Sequence, residues 1–267
     1  MYLYNYKDWL SYWTKCLKIK CYTAKEILYN KNVSLDCINL ILRHDIDSCT
    51  NDDIKIISAM AEAQEGFGLR GSYYLLNNNP YYKNNKDFFL DLQDRGHEIG
   101  LHVDLSYLYQ AGKPLSKNKV FSQLSLDVDN MCKDGFNIFT AAWHGSTDNI
   151  NAKILLSYSE NNFISYIKSD INKTPLITDC CYFFTTYKDF NIIPKNNNLT
   201  LDLNKYKGKV FYSLLHPCSD YYSINKDLSY SIKNHKYWED NPAISSGYKK
   251  PQSLQALFQE RIEAKYL

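Results

Sequence analysis

Over its first half the chain alternates apolar runs of strand length with amphipathic stretches of helical period. Residues 38–43 form an apolar run that breaks at His44-Asp45-Ile46-Asp47. Residues 51–66 then predict a helix, with Asp52 and Asp53 in its first turn, Ile54, Ile57 and Met60 on one face, and Gly66 as its stop. A second strand is expected at 71–76, closed by Asn77-Asn78-Asn79-Pro80. A short helix at 86–95 ends before Gly96, and a third strand follows at 98–102. Ser116 caps a longer helix that carries Val120, Leu124, Val128 and Met131 on one face until Gly135, and 137–143 reads as the next strand. Further strands are expected at 163–167, 176–179 and 209–215, an irregular Asn-rich loop at 196–198, and a helix at 252–266 with Leu254, Leu257, Phe258 and Ile262 inward. Strands alternating with helices mean a parallel sheet, the α/β class. No repeat or low-complexity linker divides the chain. The expectation is one domain over residues 38–267, preceded by an N-terminal helical extension over residues 1–37.

Composition narrows the function classes more than the fold. The 267 residues carry 31 basic and 29 acidic side chains, a net charge of +2, which lacks the basic excess of a nucleic-acid binder. With 45% hydrophobic residues the chain is too apolar to be disordered, and no run reaches the ~18 apolar residues of a membrane span. The 8 cysteines form no C-x-x-C, and Cys180-Cys181 are adjacent, which suits neither a zinc knuckle nor a secreted disulfide framework. The first residues lack the pattern of a signal peptide. Reduced cysteines and a cytoplasmic protein are the expectation.

In parallel α/β folds, ligands bind at the carboxyl ends of the strands. Of the 6 histidines, His44, His102, His144 and His216 all lie at such predicted ends. Asp45 and Asp47 are two apart, so on an extended segment both point the same way, while His44 and Ile46 point elsewhere. Two carboxylates in one cavity repel unless a cation sits beside them. A divalent metal resolves this, with one Asp as ligand and the other free to accept a proton; capping of the helix near 51 is the competing structural reading. His102 adds a nitrogen ligand, and a mixed His/Asp set suits zinc or another divalent transition metal. His97-Glu98-Ile99-Gly100-Leu101-His102 is not the zinc-protease H-E-x-x-H. Its histidines are five apart, about 140° around a helix, and Gly100 weakens a helix there. His97 and Glu98 therefore read as structural.

Arg43-His44-Asp45-Ile46-Asp47, Gly71-Ser72-Tyr73-Tyr74, Gly96-His97-Glu98-Ile99-Gly100-Leu101-His102 and Leu214-Leu215-His216-Pro217, in that order, resemble the polysaccharide deacetylase superfamily. This is the NodB-homology group, carbohydrate esterase family 4, and the likeness is to its RHDxD…GHEIGLH branch, over roughly residues 38–218. The resemblance implies a distorted (β/α)7-type barrel, one divalent metal ion (zinc foremost), and hydrolysis of an N-acetyl, less often O-acetyl, group on a carbohydrate. It further implies Asp45 as base, Asp47 and His102 as metal ligands, His216 as the acid that protonates the leaving amine, and Asp179 as the carboxylate that tunes His216. Two positions depart from the pattern. Ser106 stands where a further ligand histidine is expected, and Trp143-His144-Gly145-Ser146 replaces the segment whose arginine holds the base. The vacated third ligand place is assigned to His144, ahead of Asp104 or a water.

Aromatic faces suit sugar rings, and Tyr74, Tyr81, Tyr82, Tyr107 and Trp143 fall near the predicted mouth. Tyr74, Trp143 and Tyr107 are the substrate contacts expected. The functional expectation is a metal-dependent deacetylase acting on a carbohydrate or nucleotide-sugar precursor. The alternative is a catalytically degraded carbohydrate-binding or assembly protein on the same barrel.

Overall fold

The structure, a computed structural model, describes residues 6–16, 18–29, 33–76, 81–108, 116–144, 176–177, 182–183, 207–208, 210–217, 222–224 and 230–232. The strand expected at 163–167, the loop at 196–198 and the helix at 252–266 lie outside the described residues.

The chain opens with α1 (Tyr6–Ser11), a π-helical turn at Tyr12–Cys16, β1 (Lys20–Tyr22) and a second π-helical turn at Lys25–Tyr29. Then come β2 (Asn39–Ile46), α2 (Asn51–Gly66), β3 (Ser72–Leu76), α3 (Tyr81–Asn84), α4 (Lys86–Asp94), β4 (Glu98–Val103) and α5 (Lys117–Lys133). β5 (Thr140–Trp143), β6 (Leu176–Ile177), β7 (Tyr182–Phe183), β8 (Val210–Leu215) and a separate antiparallel pair, β9 (Tyr222–Ile224) and β10 (Tyr230–Ile232), complete the described elements.

Local chemistry accounts for the helix boundaries. Thr50 and Asp53 form a reciprocal capping box at the start of α2, each side chain accepting from the other's backbone N–H. The Ser116 side chain accepts from the Lys119 N–H to start α5. Past α5, Gly135 turns at φ +101°, and Phe136 N–H returns to the Met131 carbonyl. Residues 137–139 are thereby a connector, and β5 starts three residues later than the apolar pattern predicts. β2 instead runs three residues further than expected. β3 pairs Arg43–Ile46 on one edge and β8 pairs Asn39–His44 on the other, so the polar segment after Arg43 keeps partners for its backbone groups.

The N-terminal segment is helical in part, as expected, but it also lays β1 against Asn39–Ile41 of β2. Since β8 covers the other edge of β2, β1 and β3 share one edge end to end. Tyr6, Leu10, Trp13 and Ile19 bury against Leu40, Leu42, Met60 and Leu215, so the first residues close the back of the sheet.

All pairings in the main sheet are parallel, in the order β6-β5-β4-β3-β2-β8-β7. Apart from β1, the seven strands follow one another in chain order around a circle that is broken, among the described residues, only between β6 and β7. The last long strand, β8, returns beside the first, β2, as barrel winding requires. The curl is confirmed by reach. Strands β2 and β5 are three places apart, roughly 14 Å in a flat sheet. Yet Asp47, which follows β2, and His144, which follows β5, bring side-chain atoms to 3.7 Å. This is the distorted (β/α)7-type architecture expected. Helices α2, α4 and α5 pack their apolar faces against the outside of strands β2 to β5.

Candidate active site

Register decides what faces the interior of the curl. Successive side chains alternate between faces, and the ladder aligns Arg43 with Ser72, Asp45 with Tyr74, Ser72 with Glu98, Tyr74 with Gly100, and His102 with Ala142. The inward set therefore climbs in layers. Arg43 lies level with Ser72 and Glu98, Asp45 level with Tyr74 and Gly100 above them, and His102 level with Ala142 above those. Asp47, Asp104, His144 and His216 follow at the carboxyl ends. The Tyr74 ring crosses over Gly100, where a Cβ would lie only 2.6 Å from ring carbon Cδ1. The Tyr74 hydroxyl pairs with Thr140 Oγ1 at 2.7 Å, and Thr140 donates to Glu98. This buried polar floor sets the height of everything above it.

At the top, three side chains from the carboxyl ends of three strands converge. Asp47 Oδ1 lies 3.3 Å from His102 Nε2 and 3.7 Å from His144 Nε2. Among the described residues these three form the one group whose candidate ligand atoms all lie within 4.8 Å of each other. Two ligands held ~2.0–2.1 Å from a tetrahedral ion sit about 3.3–3.4 Å apart, so the spacing fits a small divalent cation. His102 is fixed for that task. Its Nδ1–H donates to the Ala142 carbonyl at 3.0 Å, which turns Nε2 to the centre, where it is buried without a hydrogen-bond partner. His144 also turns Nε2 toward Asp47, while its Nδ1 lies 3.8 Å from Asp104 Oδ2, an ion-pair distance rather than a hydrogen bond. Two imidazoles and a carboxylate are the donor set of a divalent transition metal.

Arg43 holds Asp45 directly beneath. Its Nε donates to Oδ1 at 2.7 Å and its Nη2 to Oδ2 at 2.6 Å, with both side chains buried. The guanidinium carbon lies 5.7 Å from the Tyr74 ring centroid and 5.0 Å from that of Tyr212. Burial pushes the Asp45 carboxyl up, but the charges of Arg43 and His102 more than offset it, so it stays below the usual carboxylate range. Asp47 is lowered too, its burial outweighed by His102 and the neighbouring histidines. For His102, burial alone favours the neutral ring, yet Asp45 and Asp47 raise its pKa above the ordinary value. His144 moves the other way through burial and the nearby His102. His216 Nε2 stands 3.8 Å from the second oxygen of Asp47.

The structure thus brings together Asp45, Asp47, His102, His144 and His216. Asp104, weighed as a ligand from sequence, lies behind His144 instead. Tyr74 is not at the mouth: at 0% exposure its ring is packing and its hydroxyl is spent on Thr140. Position at a strand's inner face was mistaken for position at its rim. Tyr82 is likewise buried, packed edge-on to Phe136, whereas Tyr107 is 52% exposed. The side chains of Trp143, Tyr81 and Ser106, and all of Asp179, lie outside the described residues. His44 points to the opposite face, stacked on Tyr73 at 4.5 Å and bonded to Tyr6 and Gln64. His97 and Glu98 are structural, as expected. His97 accepts from the Gly71 N–H and bonds Glu65, while Glu98 accepts from Ser72, Thr140 and the Lys25 N–H. Sequence reasoning missed Arg43 as the partner of Asp45. The signal was present, since the same period of two that pairs Asp45 with Asp47 also pairs Asp45 with Arg43.

No protein-family model matches the chain, and no curated protein is similar to it. Solved structures similar to it include the CE4 family pseudoenzyme BA3943 from Bacillus anthracis, at 15% identity and a TM-score of 0.38 over 70% of this chain and 57% of that one. Another is a family 4 carbohydrate esterase from Bacillus anthracis (14% identity, TM-score 0.39, 90% of this chain and 84% of that one). A third is the Bc1960 peptidoglycan N-acetylglucosamine deacetylase (10% identity, TM-score 0.37, 95% of this chain and 90% of that one). This chain spans less than two thirds of the length of the BA3943 structures, 57–65%. Likenesses this distant assign neither a reaction nor a substrate, and enzyme and pseudoenzyme stand side by side among them.

Proposed function

We propose that the protein is a metal-dependent hydrolase that removes an acetyl group, N-acetyl foremost, from a carbohydrate or nucleotide-sugar precursor. The observation that carries the reading is a carboxylate held ionised by Arg43, its Oδ2 3.5 Å from the same His102 Nε2 that faces the Asp47–His102–His144 cluster. A divalent ion there, zinc being the best match to two imidazoles and a carboxylate, would polarise an amide carbonyl and acidify a water. Asp45 is the base: kept ionised and aimed by two hydrogen bonds, it accepts the proton of the attacking water. His216, 3.8 Å from the second oxygen of Asp47, donates a proton to the leaving nitrogen, without which an amide does not break. Asp47 spans the two halves, one oxygen toward His102 and His144 and the other toward His216. The ring of Tyr107, 52% exposed, offers a face to the sugar.

Acetate release from a panel of N-acetylated sugars, oligosaccharides and nucleotide-sugars tests the reading. The expected result is release from one class, lost on chelation, restored by Zn²⁺ and absent in Asp45→Asn. A protein that binds zinc and a glycan but releases no acetate from any member would instead be a binding protein on this scaffold.

A further inference from the structure

Asp45 and Asp47 approach His102 about equally closely, although only Asp47 also belongs to the group with His144. Asp45 Oδ2 lies 3.5 Å from His102 Nε2 and Asp47 Oδ1 lies 3.3 Å from it. Both spacings are those of ligands sharing one ion, about 3.3–3.4 Å for a tetrahedral centre. A cation with Asp47, His102, His144 and also Asp45 would be closed, like a structural zinc site, whereas hydrolysis needs an open position. What separates the two carboxylates is Arg43. It engages both oxygens of Asp45 through a planar bidentate pair, the geometry a guanidinium offers and an ammonium does not. Asp47 Oδ1 is turned to His102 and His144. The Arg43 guanidinium cannot swing away, since it is buried between Tyr74 and Tyr212.

We propose that Arg43 is a positioning residue that holds Asp45 beside His102 but out of the metal's ligand set, so that the cation is bound by Asp47, His102 and His144 alone. The inference rests on the cation site proposed above. It explains why a chain without an arginine in the segment 143–146 still holds its base. Here the holding group lies two residues before the base on the same strand, so no separate loop has to deliver it.

Cobalt(II) reports the ligand set directly through its visible absorption, with no need for a substrate. In the intact protein, Asp45→Asn should leave both the Co²⁺ spectrum and its Kd within about threefold of wild type, because Asp45 is not a ligand. Arg43→Lys, which keeps the buried charge but can satisfy only one oxygen, and Arg43→Met should both release Asp45. Co²⁺ should then bind about tenfold or more tightly, with a changed spectrum. Adding Asp45→Asn to either variant should restore the wild-type spectrum. If Asp45→Asn alone weakens Co²⁺ binding tenfold or shifts its spectrum, Asp45 is already a ligand and the proposal is wrong, while the metal reading survives. Unchanged spectra in a folded Arg43→Lys would equally overturn it. A wild-type protein that binds no Co²⁺ would remove the cation site and this inference together.

Discussion

At Asp45 and His216 the proposed chemistry divides into taking a proton and giving one, and the division is testable residue by residue. His216 serves the leaving group, and an acetyl ester leaves readily as an alcohol while an amide must depart as a protonated amine. His216→Ala should therefore cost an amide substrate about 10²–10⁴-fold in kcat and an acetyl ester far less. Parallel assays on matched N-acetyl and O-acetyl sugars check this, and equal losses would take His216 out of the acid role. Much of this level was legible in the sequence. Strand alternation pairs Asp45 with Asp47, and the histidines at strand ends mark where ligands gather. The ligand behind the ligand was not legible, because Asp104 reaches His144 only once two different strands are laid side by side. Tyr74 was misplaced for a related reason. Its neighbour in register is Gly100, whose missing side chain draws the ring across the interior, and that pairing depends on the ladder between β3 and β4.

Elements whose ends carry their own chemistry were the readable ones. The α2 boundary follows from Thr50 and Asp53, and Thr50→Ala should lower stability by about 1 kcal/mol, seen as a shift in the urea midpoint without a change in slope. β1 offers no such signal. Lys20-Cys21-Tyr22 is only half apolar, and it is a strand because the edge of β2 beside Asn39–Ile41 is open for pairing. The tail of β2 is a strand for the same reason, which is how the polar His44-Asp45 came to lie within regular structure. Gly100 is the element-level weak point of the site. Gly100→Ala would drive a methyl into the Tyr74 ring with the Thr140 carbonyl 3.0 Å away, so neither side yields cheaply. A destabilisation of about 1–3 kcal/mol is expected from the overpacking. Calorimetric melting of the variant measures it, and a neutral substitution would mean the Tyr74 ring is not held there.

Across the whole molecule, a buried polar network ties the N-terminal segment to the back of the barrel. Tyr6 and Gln64 meet at His44 Nε2, and Tyr73 donates to Gln64. Burial drops the pKa of His44 from 6.5 to about 3, so the fold keeps it neutral where the unfolded chain would charge it. Its stabilising contribution is therefore complete above pH 6.5 and drains as pH falls toward 3, at up to ~1.4 kcal/mol per pH unit. Because the shifted His97, His102 and His144 also contribute between about pH 7.5 and about pH 5, the His44 contribution is read as the difference in slope between wild type and His44→Gln in urea titrations over that range, and His44→Gln should flatten the slope. An unchanged slope would mean that His44 is not buried neutral. Among the described residues no helix is long and apolar enough to cross a membrane. The parallel sheet was legible in the strand–helix alternation, and the barrel winding in the resemblance carried by residues 43–47 and 96–102. β6 falls within the strand expected at 176–179, whereas the two residues of β7 carry no period and were not legible. The central claim is that Asp47, His102 and His144, delivered by strands β2, β4 and β5, hold one divalent ion. Calorimetric titration of Zn²⁺ into the metal-stripped protein measures this most directly. One site per chain is predicted, with binding weakened at least about tenfold in His144→Ala and in Asp47→Ala. Zinc binding that is absent in the wild type, or unchanged when His144 is removed, would contradict it.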